Sequence, residues 1–158
     1  MSTPQVGDPA PAIALPDEHG TLRRLADRRG SWTVVYFYPK DDTPGCTKEA
    51  CAFRDRLPEL QKLGAVVLGV SADDVASHRK FSEKFSLNFP LLADTDHKMA
   101  EEYGAWREKN MYGKISMGIQ RSTFLIDAQG AVVKVWKKVS VDGHDQQVID
   151  ALKSLADA

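Results

Sequence analysis

The chain has 158 residues, of which 42% are hydrophobic and 27% are charged. One domain commonly holds about 100–200 residues, and this composition excludes a disordered chain, a collagen-like repeat and a coiled coil, so residues 1–158 are expected to form a single folded domain. The 21 basic and 22 acidic side chains leave a net charge of −1. This balance gives no bulk attraction for nucleic acid or for an anionic membrane.

The location and the cysteine content point to a reducing compartment. No apolar stretch approaches the roughly 18 residues needed to cross a bilayer, and the first residues lack a signal-peptide pattern, so we expect a cytoplasmic protein. The only cysteines are Cys46 and Cys51. They are too few for a disulfide scaffold or a four-cysteine zinc site, so a pair five residues apart indicates chemistry.

Proline and apolar runs mark the strands in chain order. Residues 7–16 contain three prolines and are expected to form a coil or an edge strand. Three later runs have the length and composition of strands but lack two-fold alternation, which is typical of strands covered on both faces; they span residues 32–38, 65–71 and 122–127. Residues 132–139 follow a Gln-Gly turn and are predicted to pair with the third run as a hairpin.

Stretches with helical spacing lie between these runs, at about residues 46–63, 73–86 and 96–103, and a last one starts at His144. This alternation predicts a layered α/β fold around a central sheet. Residues 109–118 are punctuated by glycine and are predicted to form a loop. Ordinary packing is expected for its four large apolar side chains, with covering a pocket or meeting a reductant as the alternatives; they are Met111, Tyr112, Ile115 and Met117.

The segment that carries the chemistry joins the first of these apolar runs to the following helix. A turn through Thr43, Pro44 and Gly45 places Cys46 at the start of that helix. Unpaired amides and the positive end of a helix dipole stabilise an anion, and thiols at such positions have a pKa lowered from about 8.5 to about 3.5–7.5. Because the thiolate is the reactive form, Cys46 is predicted to be a nucleophile, with Thr43, nearby amides and a distant arginine as donors.

Helical geometry separates the two cysteines. Five residues of α-helix give about 7.5 Å of rise and about 140° of rotation, which places the two Cα atoms about 8.7 Å apart. Disulfides rarely span more than about 7 Å between Cα atoms. We therefore predict that Cys46 faces inward with Ala50 and Phe53 while Cys51 points away, and that a bond between the cysteines requires the first turns to unwind.

The motif Pro39-x-x-x-Thr43-x-x-Cys46 resembles the active-site signature of the peroxiredoxins. Residues 45–55 are similar to the bacterioferritin-comigratory or PrxQ subgroup. The likeness covers nearly the whole chain: residues 7–11 resemble the opening of that family, residues 89–94 and 103–104 its middle, and residues 118–127 its second signature.

The resemblance implies a thioredoxin-like fold, with a central mixed sheet flanked by helices, and reduction of hydrogen peroxide or organic hydroperoxides without a metal or another cofactor. We expect the protein to be a monomer. Cys46 would be the peroxidatic cysteine that becomes a sulfenic acid. Cys51 would be the resolving cysteine, and thioredoxin or a similar dithiol would reduce the resulting intramolecular disulfide.

Four residues would form the peroxide site in that family: Pro39, Thr43, Gly45 and Arg121. The resemblance implies that Thr43 hydrogen-bonds the peroxide. It implies that Arg121 stabilises the thiolate and the negative charge that develops during the reaction. Pro39 and Pro44 would shape the pocket and shield the sulfenic acid.

Three alternative functions remain open at this point. A copper-carrying thioredoxin-like protein would hold metal with a cysteine pair and a histidine. A disulfide-exchange protein would use a Cys-x-x-Cys dithiol, which differs from the spacing here. The thiols could also be inert in a binding module. The four histidines lack metal-ligand spacing to the cysteines and are expected at the surface; they are His19, His78, His97 and His144.

Overall fold

The structure is a computed structural model that describes residues 3–28 and 30–156. Nine strands and four α-helices occur in the described residues. The strands are β1 (Ala14–Pro16), β2 (Leu22–Arg24), β3 (Trp32–Phe37), β4 (Ala65–Ser71), β5 (Leu91–Ala93), β6 (Trp106–Met111), β7 (Lys114–Ile119), β8 (Ser122–Ile126) and β9 (Val132–Trp136). The helices are α1 (Pro44–Lys62), α2 (Val75–Phe85), α3 (Lys98–Glu102) and α4 (His144–Ala156).

Five strands form the central sheet in the order β5-β4-β3-β8-β9. β3 pairs in parallel with β4 and antiparallel with β8, so that Val35 lies opposite Leu68 on one side and Phe124 on the other. β9 pairs antiparallel with β8, which confirms the predicted hairpin. The mixed sheet with helices around it confirms the predicted α/β fold.

Both faces of β3 are buried, which explains why its sequence shows no polar alternation. Val34 and Tyr36 contribute to a core that also contains residues of α1, α2 and α4. Val35 and Phe37 contribute to the core on the opposite face, which contains residues of α3. A strand between two cores carries mostly apolar side chains on both faces.

Helix α1 begins two residues before the predicted start because Pro44 occupies its first turn, where the missing proline N–H costs no helical hydrogen bond. The helix also contains Pro58, which cannot donate to the carbonyl of Arg54. The side chain of Asn88 donates to that carbonyl instead, at 3.1 Å. The helix therefore continues through the proline and keeps both cysteines on one continuous element. In the described residues, every helix is too short or too polar to cross a membrane.

The prediction of a loop at residues 109–118 is wrong, because these residues form most of the β6–β7 hairpin. Its two-residue turn has positive φ at both Tyr112 and Gly113, the conformation that matches the twist of hairpin strands. Ordinary packing is also wrong for three of the apolar side chains there: Tyr112, Ile115 and Met117 are exposed. The side chain of Met111 lies outside what the structure describes.

The prediction that all four histidines lie at the surface is wrong for two of them. His78 in α2 is 0% exposed, and His144 at the start of α4 is 1% exposed. Both are buried because their ring nitrogens find polar partners inside the protein. His144 lies within 2.8 Å of the Thr123 hydroxyl, and His78 lies within 2.9 Å of the carbonyl of Leu92.

Candidate active site

The two cysteines lie on α1 as their spacing predicts. Cys46 is in the first turn and is 2% exposed, in the same core cluster as Ala50 and Phe53. Cys51 is half-buried, and both thiols are free. A bond between these cysteines would therefore have to form from a regular helix that now holds their side chains on different faces.

Arg121 contacts the thiol of Cys46 although the two residues are 75 apart in the sequence. It lies between β7 and β8, and its Nη2 donates to the Sγ of Cys46 at 3.3 Å. A side chain at Gly45 would interfere with this approach, since a Cβ atom there would lie 3.2 Å from Nη2. Gly45 therefore leaves room for the guanidinium beside the sulfur.

The turn before α1 supplies further hydrogen-bonding groups. Thr43 is the N-cap residue, but its hydroxyl donates to the carbonyl of Lys40 at 2.8 Å and makes no capping bond. The first helical bond runs from the amide of Thr47 to the carbonyl of Thr43. The helix therefore offers no acceptor to the amides of Gly45 and Cys46, which remain available to bind a negatively charged oxygen beside the sulfur.

Prolines limit the backbone at both ends of this turn. Pro39 is half-buried and follows the buried Tyr38, and Pro44 is the first residue of α1. The pyrrolidine ring fixes φ near −65° at each position. The two rings therefore restrict how the turn moves relative to Cys46.

Glu49 is a site residue that the sequence reasoning did not assign a role. Its Oε1 accepts a hydrogen bond from Nη1 of Arg121 at 2.6 Å, and its side chain is 2% exposed. Burial raises the pKa of Glu49 to about 7, although the charge of Arg121 acts in the opposite direction. Glu49 was detectable in the sequence as a carboxylate three residues after Cys46, within the inward stripe of α1.

Lys109 brings a second cation close to the site. It lies half-buried in β6, and burial followed by the positive charge of Arg121 lowers its pKa, while the nearby Cys46 raises it. The hairpin makes room for this side chain because Gly118 has no Cβ, which would lie 3.2 Å from Cδ of Lys109. The sequence predicts a loop here, and a loop gives no indication that Lys109 lies close to Cys46.

One group of three potential metal ligands occurs among the described residues, and it excludes both cysteines: Asp41, Asp73 and His78. Their facing atoms are already hydrogen-bonded. Nδ1 of His78 lies 2.7 Å from Asp41, and Asp73 accepts a bond from the amide of Asp41 at 2.8 Å. This cluster is therefore a hydrogen-bonded network. A copper-carrying protein would need a ligand group that includes a cysteine, and the described residues contain no such group of three.

The arrangement around Cys46 suits nucleophilic attack by sulfur. A cation and two free amides lie where they can stabilise a thiolate and an oxygen that gains negative charge. A threonine hydroxyl with its proton already donated offers its lone pairs to a substrate O–H. These groups fit a small substrate with a weak bond between two electronegative atoms.

Comparisons with known proteins agree with this chemistry. The AhpC/TSA family model matches residues 6–135. Peroxiredoxin Bcp of Bacillus subtilis is 46% identical over 155 residues, covering 98% of this chain and 99% of that protein. Peroxiredoxin Bcp of Escherichia coli K12 is 44% identical over 156 residues, covering 99% and 100%.

Solved structures show the same relationship. Bacterioferritin comigratory protein of Xanthomonas campestris, described for its alkyl peroxide reduction activity, is 48% identical with a TM-score of 0.87, and the match covers 91% of this chain and 92% of that one. A cysteine-to-serine variant of PrxQ from Xylella fastidiosa is 38% identical with a TM-score of 0.93, and the match covers 99% of each chain. The chain therefore belongs to the AhpC/TSA family, as one of its Bcp/PrxQ peroxiredoxins.

Proposed function

We propose that this chain reduces hydrogen peroxide and organic hydroperoxides with Cys46 as the peroxidatic cysteine. The observation that carries this proposal is the 3.3 Å contact between Nη2 of Arg121 and the buried Sγ of Cys46, at a helix start with two free amides. The alkyl peroxide reduction described for the Xanthomonas relative supports including organic hydroperoxides among the substrates.

In the first step, the thiolate of Cys46 attacks one oxygen of the peroxide and the O–O bond breaks. The sulfur becomes a sulfenic acid, and the other oxygen leaves as water or an alcohol after taking up a proton. Thr43 would accept a hydrogen bond from the substrate, because its own proton is donated to the carbonyl of Lys40. Arg121 and the free amides would stabilise the negative charge of the transition state.

In the second step, the thiol of Cys51 attacks the sulfenic sulfur, so that a disulfide forms and water leaves. Cys51 is the only other cysteine of the chain, which supports an intramolecular bond. A dithiol of the thioredoxin type would then reduce the disulfide by exchange. This step depends on unwinding of the first turns of α1, since an intact helix separates the two Cα atoms by about 8.7 Å.

A monomer in the cytoplasm is the simplest setting for this cycle. Cys46, Arg121, Glu49 and the candidate resolving cysteine all belong to one chain, so no second subunit is needed to complete the site. A cycle that consumes a dithiol reductant also suits a reducing compartment.

Replacing each cysteine in turn tests the assignment. Cys46→Ser is expected to abolish peroxide consumption with a thioredoxin system. Cys51→Ser is expected to keep a single rapid oxidation, accumulate a sulfenic acid detectable by mass spectrometry with dimedone, and lose repeated turnover. Peroxide consumption that survives Cys46→Ser would refute the role of Cys46, and unchanged repeated turnover of Cys51→Ser would refute the role of Cys51.

A further inference from the structure

A buried polar network fastens the turn that carries Thr43. We call residues 39–43 the active-site turn. Asp41 in this turn is 7% exposed, and its Oδ2 lies 2.7 Å from Nδ1 of His78 on α2, which is 0% exposed. The same carboxylate accepts hydrogen bonds from the hydroxyls of Tyr38 at 2.6 Å and Ser77 at 2.8 Å. Neither His78 nor Asp41 has a role in the peroxide chemistry described above.

The partners of His78 determine its protonation. Nε2 lies 2.9 Å from the carbonyl oxygen of Leu92, which can only accept a hydrogen bond. Nδ1 faces the carboxylate of Asp41, which in its ionised form also only accepts. A neutral imidazole has one N–H and would direct a lone pair at one of these oxygens. The geometry therefore fits an imidazolium that donates to both, in an ion pair with Asp41.

We propose that His78 is a positioning residue for peroxide reduction, because its ion pair with Asp41 holds the active-site turn in the conformation that presents Thr43 to a peroxide at Cys46. The inference rests on the proposed function. The turn has a second ion pair with α2, which is exposed, at 2.8 Å between Asp42 and Lys84. Ion pairs that are exposed to water contribute little to stability, so the buried pair is expected to dominate.

Backbone geometry shows why this turn needs an external attachment. Asp42 has a φ of +56°, in the left-handed region that a non-glycine residue adopts at a cost. The hydroxyl of Thr43 bonds only within the turn, to Lys40. The amide of Asp41 is fixed from outside by Asp73, whose carboxylate also accepts a bond from Ser71 at 2.7 Å. Groups on α2 and at the end of β4 therefore supply the fixed points.

The charge on His78 makes the ion pair with Asp41 sensitive to pH. The groups that face it are Asp41 of the active-site turn, Tyr38 beyond the end of β3, Asp73 before α2, Ser77 within α2, and the carbonyl of Leu92 in β5. Burial alone would lower the pKa of His78, but the hydrogen bond and charge of Asp41 outweigh it, and the pKa is raised. The attachment is therefore complete below the ordinary histidine pKa and is lost as pH rises through the raised value.

Two reactions of Cys46 distinguish a role of His78 in positioning the active-site turn from a general effect on the folded structure. Alkylation by iodoacetamide needs the thiolate but no oriented peroxide, whereas oxidation by hydrogen peroxide needs both. In wild-type protein, the ratio of the oxidation rate to the alkylation rate is expected to fall between pH 6 and pH 10. A ratio that stays constant would overturn the proposal without use of any variant. Failure of wild-type Cys46 to react with peroxide at all would instead refute the proposed function.

Substitutions at His78 complete the test. His78→Leu removes both donors and is expected to slow oxidation about 10-fold at pH 7, equivalent to about 1.4 kcal/mol, with alkylation changed less than about 2-fold. His78→Asn keeps an uncharged N–H near the position of Nδ1 and is expected to restore most of the oxidation rate and to flatten the pH dependence of the ratio. His19→Asn, at an exposed histidine, is the matched control.

The opposite results are equally specific. Equal losses of oxidation and alkylation in His78→Leu would show a structural role only and overturn the proposal. A pH dependence of the ratio that persists unchanged in His78→Asn would assign the titration to another group, with the same consequence.

Discussion

The guanidinium of Arg121 is shared between the sulfur of Cys46 and the ionisable carboxyl group of Glu49. Arg121 donates one N–H group to Cys46 and another to Glu49. The second oxygen of Glu49 is buried and has no partner among the described residues. Because burying a charged carboxylate with one oxygen unpartnered is costly, the protonated form of Glu49 is favoured up to neutral pH, and the charge of Arg121 is then available to the sulfur.

Replacing Glu49 tests this cost through the pH dependence of stability. The pKa of Glu49 is raised to about 7 from an ordinary value of 4.5, so its contribution to the free energy of unfolding is complete below pH 4.5 and is lost as pH rises through about 7. Wild-type protein is therefore expected to lose about 3 kcal/mol relative to Glu49→Gln between pH 4 and pH 9, as measured by urea denaturation of the reduced forms.

The matched control for this experiment is Glu59→Gln. Glu59 lies on the same helix in exposed ion pairs with Arg56 and Lys153. Its replacement is expected to leave the pH dependence close to that of wild-type protein. Parallel pH profiles of wild-type protein and Glu49→Gln would contradict the assigned cost of burying Glu49.

At the scale of single elements, α1 is attached unevenly along its length. Its first turns contact the rest of the protein through the small buried side chains of Cys46 and Ala50, through the polar contacts of Arg121 with Cys46 and Glu49, and through the exposed ion pair of Lys48 with Asp142. Beyond Cys51, the helix is held by buried Phe53 and by further apolar and arginine contacts: Leu57, Leu60, the bond of Arg54 to the carbonyl of Phe85, and the bond of Arg56 to Asp145. The weaker part of the helix is therefore the part that contains both cysteines.

Oxidation is expected to unwind α1 only as far as about residue 52. Amide hydrogen exchange followed by mass spectrometry should show faster exchange of residues 44–52 after one equivalent of peroxide, with residues 54–62 still protected. Peroxide-treated Cys51→Ser cannot form the disulfide and should keep the protection of the reduced protein. If residues 44–52 exchanged equally slowly in the disulfide form, the prediction that α1 must unwind before the two cysteines can bond would be wrong.

The elements also show what could be predicted from the sequence. Apolar runs located β3, β4 and β8 to within a residue, because burial on both faces imposes a pattern that few other structures share. The β6–β7 hairpin was missed because Tyr112 occupies a positive-φ position where Asn or Asp is the usual signal. His78 was missed although it stands three residues before the buried Phe81, on the same helical face.

Part of the candidate active site could likewise be predicted from the sequence, and part could not. The position of Cys46 at a helix start follows from local turn chemistry. The contact of Arg121 with Cys46 joins residues 75 apart in the chain, and no local spacing contains that information. Only the family resemblance indicated it, and the structure supplies the distance.

At the scale of the whole molecule, the central sheet separates two cores of different importance for the site. Cys46, Phe53 and Tyr36 belong to the core that includes α1, and the rings of Phe53 and Tyr36 are 4.9 Å apart. Leu68 belongs to the core on the opposite face and is 1% exposed. Changes in the first core can displace α1, whereas Leu68 lies on the opposite face of the sheet from α1.

Leu68→Ala and Phe53→Ala are therefore expected to separate stability from reactivity. Each should lower the free energy of unfolding, by about 2–5 kcal/mol for the leucine and about 3–5 kcal/mol for the phenylalanine. A domain near the middle of the usual range of about 5–15 kcal/mol stays mostly folded after such a loss. Stopped-flow oxidation should then give a wild-type rate for Leu68→Ala and a reduced rate for Phe53→Ala, because only Phe53 supports the helix that carries Cys46. Equal rates in the two variants would show that packing beneath α1 does not position the sulfur.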